Sequence, residues 1–507
     1  MKALALKLLD GYDQHISSKM LLLSDFRTPN WEKPFDREDR PMRFTGLHGA
    51  AYLECVEIAV TLLEMNEWDV EATDLNGNTP LAWAAMRGQE GMMKILLERG
   101  SANPNKLNKY GLTPLLEAAK NGHEGVVGIL LERNDVNPDT ADKYRRTPLS
   151  RAAEDGHEEV VRILLERNDV NLDIVDRDYR TPLESAARNG HEGAVRIFLG
   201  RNDIDPNTAG SRYGQTPLSW AAQNEHEGVV RILLERNDVN PNTADKDGRT
   251  PLSWVAANWH GDIARMLLER DDVNPDTADE NGRTPLSWAA GNGCGGAVRT
   301  LLQRNVNPNT ADKRGRTPLF RAAANWHQGV MRMLLERSDA NPDTADKDGR
   351  TPLSWAAENG NDEAVRMLLA RNDVNPDTAD KNGRTPLSWA AENGNGELVR
   401  ILLERHDVSP ATADKDGGTP LSWAAGNGHR WIVNILRERN GINPNTLEKC
   451  GSTPFLQAAR NGDEGIVELP RDRANFILRY VAGPPSTEFL PEPPGSSEPP
   501  FKRARRF

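Results

Sequence analysis

The dipeptide Thr-Pro recurs at Thr79, Thr113, Thr147, Thr181, Thr216, Thr250, Thr284, Thr317, Thr351, Thr385, Thr419 and Thr453. Nine of the eleven intervals are 34 residues, so the chain is a stack of copies of one small unit, and the unit sets the fold. The exceptions, 35 before Thr216 and 33 before Thr317, fall at 209–213 and 305–307, where a loop has gained or lost one residue. A related stretch, Thr45-Gly46-Leu47-His48-Gly49-Ala50-Ala51, starts 34 residues before Thr79 and brings the units to about thirteen, over residues 43–470.

Each unit reads as two helices and a loop. Thr250 at an N-cap offers its hydroxyl to the free N–H groups of a first turn, and Pro251 at the first helical position loses no hydrogen bond. The helix runs to about Asn258. In most units a Gly nine residues after the Thr (Gly122, Gly156, Gly190, Gly293, Gly360) suits the left-handed residue that ends it. A second helix carries apolar residues spaced as Val229, Val230, Ile232, Leu233 and Leu234 and stops at Glu235-Arg236-Asn237, with Asn237 expected as the left-handed cap. Turn signals at Asn240-Pro241 and Asp247-Gly248 then predict an extended loop or hairpin. Helices this short fall below the roughly 12 to 15 residues that are marginally stable alone, so they must stack on their neighbours. An all-α solenoid follows, with stability that sums over neighbour interfaces.

These residues resemble the ankyrin-repeat family, whose unit has a Thr-Pro-Leu-His-x-Ala core. The matching residues include Gly248-x-Thr250-Pro251-Leu252, Ala153 with Gly156-His157, and Val160-Val161-x-Ile163-Leu164-Leu165. The family's His after Thr-Pro-Leu is Ser at Ser150, Ser219, Ser253, Ser287, Ser354, Ser388 and Ser422, and is kept at His48. The wording of the units, with Trp31-Glu32-Lys33-Pro34-Phe35-Asp36 and Arg43-Phe44-Thr45-Gly46-Leu47-His48 before them, is similar to the arrays of fungal NOD-like receptors of the NACHT type. The chain holds no GxxxxGK[ST] phosphate loop, so it reads as a stand-alone array or a receptor without its NTPase. The resemblance implies a non-catalytic scaffold or recognition array that binds protein partners through a concave face and loop tips.

Composition narrows the function. The 63 Lys and Arg against 75 Asp and Glu leave a net charge of -12, which argues against wrapping a phosphate backbone, so no direct nucleic-acid binding is expected. Cys55, Cys294 and Cys450 form no CxxC pair, which indicates neither a disulfide framework nor a zinc site and fits a reducing intracellular compartment. Neither a signal peptide nor a run of 18 apolar residues is present, so a cytoplasmic monomer off the membrane is expected. No catalytic constellation, metal site or cofactor site emerges. The repeated Ser after Thr-Pro-Leu lacks a nucleophile elbow, and Asp245-Lys246-Asp247-Gly248 is half a calcium loop without its bidentate Glu, better read as a hairpin turn.

Three residue sets are candidates for contact or structure. His123, His157, His191, His226, His260, His327 and His429 lie ten residues after their Thr. At about 10 Å between units they are too far apart to share a metal and are expected to hydrogen-bond the inter-helix turn. Arg precedes the Thr at Arg146, Arg180, Arg249, Arg283, Arg316, Arg350 and Arg384, with Lys143, Lys246, Lys313, Lys347, Lys381 and Lys415 three positions earlier. Stacking would line these along the hairpin tips as a basic ladder for an acidic partner, unless each pairs with an Asp of its own loop (Asp142, Asp245, Asp312, Asp346, Asp380). Trp259 and Trp326 stand at the Gly position between helices. Either they are exposed anchors, or the turn shifts so that Asn258 and Asn325 take the unusual dihedral and the indole packs down.

Seven of the 12 tryptophans (Trp83, Trp220, Trp254, Trp288, Trp355, Trp389, Trp423) are one position copied, four residues after the Thr, and read as inter-repeat packing. Near-identical units such as 351–359 and 385–393 fit repetitive partners or recent duplication. The ends differ: 1–42 reads as a cap and linker, Pro470 interrupts the last unit, and 471–507 is a Pro-rich tail. Its basic cluster, Lys502, Arg503, Arg505 and Arg506, is a nuclear-import candidate. It motivates the alternative of a nuclear regulator of transcription or of a metabolic gene set.

Overall fold

The computed structural model describes residues 45–462 apart from 66–67, 440–441, 444 and 450. The segments 1–42 and 471–507, the second helix of the thirteenth unit with Pro470, Cys450 and the basic cluster 502–506 lie outside the described residues. Twelve helix pairs and the first helix of a thirteenth follow one another, with no strand among the described residues.

The unit at Thr250 shows the construction. Thr250 is extended (φ -80°, ψ 164°) and its Oγ1 accepts from Ser253 N at 3.3 Å, which starts the helix Pro251–Ala257. The same cap recurs at Thr79, Thr147, Thr284 and Thr419. The second helix, Gly261–Glu269, buries Ile263, Ala264, Leu267 and Leu268. Each such Leu contributes about 2 kcal/mol through burial, more than a seven- to nine-residue helix gains from its own hydrogen bonds.

The second helices do not end as the sequence reading expects. Asn237 is not left-handed, and the C-cap Glu235 stays right-handed at φ -67°. The carbonyls that would need such a cap are met from the next unit. Arg236 donates to Leu199 O and grips Asp238 with Nε (2.8 Å) and Nη2 (2.5 Å). Arg167, Arg201, Arg270, Arg337 and Arg371 reach Leu131, Leu165, Leu234, Leu302 and Leu335 O in the same way, at 2.7 to 3.2 Å. A charged fork from the neighbour satisfies the last turn and makes the cap an inter-repeat bond.

The loop is a tight hairpin. Asp245 N donates to Arg249 O (2.9 Å), Gly248 N donates to Asp245 O (2.9 Å), and Gly248 takes φ 78°. Asp245 Oδ1 accepts from both Asp247 N (3.0 Å) and Arg249 N (2.8 Å), which locks the turn. Within each compact unit neighbouring hairpins are joined by a backbone bond, such as Lys246 N to Tyr213 O and Glu280 N to Asp247 O, both 2.9 Å, and Lys415 N to Asn382 O at 2.8 Å.

The chain divides into two compact units, one of described residues up to Ala356 with Arg366–Val374, the other of Ala357–Val365 with the described residues from Asn375. In each, first helices pack on first helices and second on second, as Pro251–Ala257 does on Pro285–Asn292 and Pro386–Glu392 on Pro420–Gly426. No helix among the described residues is long and apolar enough to cross a membrane.

Candidate functional site

The hairpin carboxylate organises what lies around it. Its second oxygen accepts from an indole: Trp254 Nε1 to Asp245 Oδ2 at 3.0 Å, with Trp83–Asp74 (2.9 Å), Trp288–Asp279 (3.1 Å), Trp389–Asp380 (3.3 Å) and Trp423–Asp414 (3.0 Å) alike. These lone pairs are engaged within the fold, so the half calcium loop is a hairpin anchor. Where Ser211 stands in place of the Asp, the buried Trp220 Nε1 has no hydrogen-bond partner. Among the described residues no group of three or more His, Cys, Asp or Glu side chains is placed to hold a metal ion.

The arginines before each Thr do not project as tips. Four of them fold back over tryptophans: Arg249 lies 3.9 Å from the Trp254 ring centroid, Arg283 4.7 Å from Trp288, Arg350 5.5 Å from Trp355, and Arg384 4.6 Å from Trp389 and 3.8 Å from Trp423, while Arg180 pairs with Asp176 at 2.7 Å. Arg316 pairs with Asp312 at 3.3 Å and Arg146 with Asp142 at 2.9 Å, while Arg249 reaches both Asp245 and Asp247. The attraction of guanidinium for an indole face and a half-buried carboxylate exceeds what solvent offers at a hairpin edge. The tips themselves carry Lys246, Lys313, Lys347 and Lys415, all exposed.

Six of the seven histidines bridge to a backbone carbonyl of the preceding unit. Nε2 donates to Met86, Lys120, Glu154, Arg188, Gly291 and Glu392 O from His123, His157, His191, His226, His327 and His429, at 2.8 to 3.1 Å. Each ring lies on the left-handed Gly of that unit: a Cβ added at Gly122 would meet His157 Nδ1 at 2.5 Å, and one at Gly156 would meet His191 Nδ1 at 2.4 Å. His260 is the exception. The residue beneath it is Glu225 (φ 63°), which pairs with His260 Nδ1 at 3.4 Å.

Trp259 and Trp326 take the left-handed conformation themselves, at φ 70° and 65°, whereas Asn258 (φ -112°) and Asn325 (φ -106°) stay ordinary. The expectation that the turn shifts onto the Asn is therefore corrected. A Cβ added at a Gly of this position would meet the His of the next unit, although His260 accommodates Glu225, and in the unit after each Trp the His is replaced by a smaller residue, Cys294 and Asn361. Beneath Trp259 the smaller Cys294 of the following repeat leaves room for the indole. The rings stay outside, 66% exposed for Trp259 and 48% for Trp326.

A second exposed aromatic set escapes a reading by majority units. Tyr110, Tyr144, Tyr179 and Tyr213 stand at the tips of four consecutive hairpins and are 44 to 61% exposed. The signal was a Tyr two or three residues before Thr in four successive units.

The ankyrin-repeat family model, three repeats long, matches overlapping windows from 47–142 through 369–448, which covers most of the chain. Comparison with curated proteins gives no match. Ankyrin repeats generally mediate protein–protein interactions and are typically non-catalytic. With its capped helix pairs, its hairpins and that coverage, the chain belongs to the ankyrin-repeat family.

Proposed function

We propose that the chain is a non-catalytic recognition array or scaffold that binds partner protein through loop tips and helix faces, with Trp259 and Trp326 as anchors. The observation that carries this is the pair of indoles held outside the fold in a backbone conformation that costs a bulky residue about 1–2 kcal/mol. Trp is the side chain most favoured at interface hot spots. Arg249, Arg283, Arg316, Arg350 and Arg384 enter as secondary contacts. Arg249, Arg316 and Arg384 leave 17 to 24% of the side chain exposed, so their charge reversal is expected to cost stability as well as binding.

Co-purification from the native cell identifies the partner, and titration with Trp259→Gly and Trp326→Gly then tests the anchors. Their loss is expected to weaken binding at least about tenfold without loss of fold. Unchanged affinity in the double variant would remove the tryptophans from the interface.

The likeness of the units to fungal NACHT-type receptor arrays supports a sensor role. The alternative of a nuclear regulator draws on the cluster Lys502, Arg503, Arg505 and Arg506. A tagged chain that stays in the cytoplasm with this tail intact would count against it.

A further inference from the structure

We infer that the hairpin tips 109–110, 143–145, 177–179 and 212–213 form one docking stripe for an extended acidic polypeptide segment. This rests on the array being a protein-recognition surface and names the chemistry of one partner.

Charge is the first ground. The exposed tip residues are Lys109, Lys143, Arg145, Arg177 and Arg212 against a single carboxylate, Asp178, in a chain whose net charge is -12. The bias runs through four consecutive hairpins. Asp178 is itself engaged by Arg180 at 3.3 Å.

Geometry is the second. Between the first two tips lies a pocket of about 180 Å³ lined by Tyr110, Tyr144, Lys120, Lys143, Arg146 and Arg151, with Asp142 as its one carboxylate. Arg151 is mostly buried there, and its Nε has no hydrogen-bond partner. Its Nη atoms pair with Glu154 (2.7 Å) and Asp155 (3.2 Å), and Arg146 pairs with Asp142 and Glu154, which leaves the lining Lys120 and Lys143 and the Arg151 Nε to seat a second carboxylate. Tips repeat at about the 10 Å of helix packing. An extended chain rises about 3.3 Å per residue, so every third residue of the partner meets a tip.

Backbone strain is the third. Every other described hairpin from Gly77 to Gly451 has Gly at the left-handed turn position, but the two central hairpins of the stripe have Arg145 and Tyr179, both at φ 63°. Placing a long side chain there costs about 1–2 kcal/mol and projects it from the tip.

The aromatic faces favour carboxylate over nucleic acid. Lys143 (4.9 Å), Arg146 (4.8 Å) and Arg177 (5.4 Å) already lie against the Tyr144 ring, and Lys143 also lies 5.3 Å from that of Tyr110. The Tyr110 and Tyr144 rings, covered by cations, are not open to stacked bases. They hold the charges in place, while the Tyr hydroxyls donate to carboxylates at the rim.

The test is fluorescence anisotropy of the full chain with a labelled oligoglutamate of about fifteen residues in about 50 mM salt. Saturable binding is expected, weakened at least about tenfold in K143E/R177E and in R145G/Y179G. The second pair restores the preferred Gly, so it should melt no lower than the parent and separates docking from folding. Absence of binding, or binding indifferent to both pairs, would overturn the inference. So would an oligothymidylate of equal length that displaces the peptide at equal or lower concentration, which would mark the stripe as a nucleic-acid surface. Neither result touches the tryptophan reading, which is scored on its own partner with Trp259→Gly and Trp326→Gly.

Discussion

At the scale of single residues, neighbours in different repeats constrain one another through one atom. Gly122 sits under His157 because no Cβ fits, and Trp259 sits over Cys294 because the imidazole is missing. Gly122→Ala should therefore destabilise by about 2 kcal/mol, from a left-handed alanine plus the clash. Cys294→His should destabilise the chain alone but not on a Trp259→Gly background, and denaturant melts of the double-mutant cycle would show the coupling. A second prediction concerns Glu184. It is fully buried, and its oxygens accept from Thr181 N (2.7 Å), Gly210 N (2.9 Å) and Ser211 N (3.3 Å), so it anchors the one hairpin with an inserted residue. Burial pushes its carboxyl up from 4.5 to about 7, against the lowering effect of those N–H groups, with a small further rise from Asp176. The charged form is the costly one in the fold. The contribution to stability is thus complete below pH 4.5 and is lost as pH rises through about 7. Melts at pH 5 and pH 8 should differ by up to about 3 kcal/mol from this group, and Glu184→Gln should flatten that slope.

At the scale of elements, the hairpin and the first helix are tied by a pair nine residues apart. Besides Asp–Trp, the tie is Asn108–Glu117 (3.2 Å), Asp312–Arg321 (3.3 Å) and Glu448–Gln457 (2.6 Å). Removing the carboxylate leaves two backbone donors and an indole unsatisfied, so Asp279→Ala should cost about 2–3 kcal/mol in a denaturant melt. Trp288→Phe, which leaves the turn intact, should cost less. Much of this architecture was legible. Thr-Pro announces each helix start because capping is a local property of two residues. The end of the second helix was not, because its cap is supplied by an Arg some 36 residues away, as Arg236 serves Leu199. The candidate site was legible in the same uneven way. Trp259 is conspicuous at a Gly position, but its conformation depends on what residue 294 vacates, and a turn judged alone misses that. For the arginines spacing left two readings, a ladder at the tips or pairing with the Asp of the same loop, because it places a Cα and not the direction of a guanidinium; Arg146, Arg249 and Arg316 take the pairing. The four tyrosines were overlooked because the commonest unit carries Asp-Gly there.

At the scale of the whole chain, the period makes cooperation a matter of neighbours. Pro251–Ala257 packs on Pro285–Asn292, which packs on Pro318–Ala324, and the arginine caps, histidine bridges and hairpin bonds each join one repeat to the next. In such an array stability is a sum of repeat and interface terms, so a lesion is felt in its own repeat and those beside it and decays along the chain. Hydrogen exchange distinguishes this from a single cooperative core. Asp279→Ala should lower amide protection in Pro251–Ala257, Pro285–Asn292 and Pro318–Ala324, while Glu90–Glu98, in the same compact unit but several repeats away, keeps its rates. A uniform loss of protection, with Glu90–Glu98 falling as far as Pro285–Asn292, would mean that the array opens as one body. The distinction bears on recognition. If repeats yield separately, the strained hairpins at Arg145 and Tyr179 and the left-handed indoles at Trp259 and Trp326 can each adapt to a partner without weakening the other.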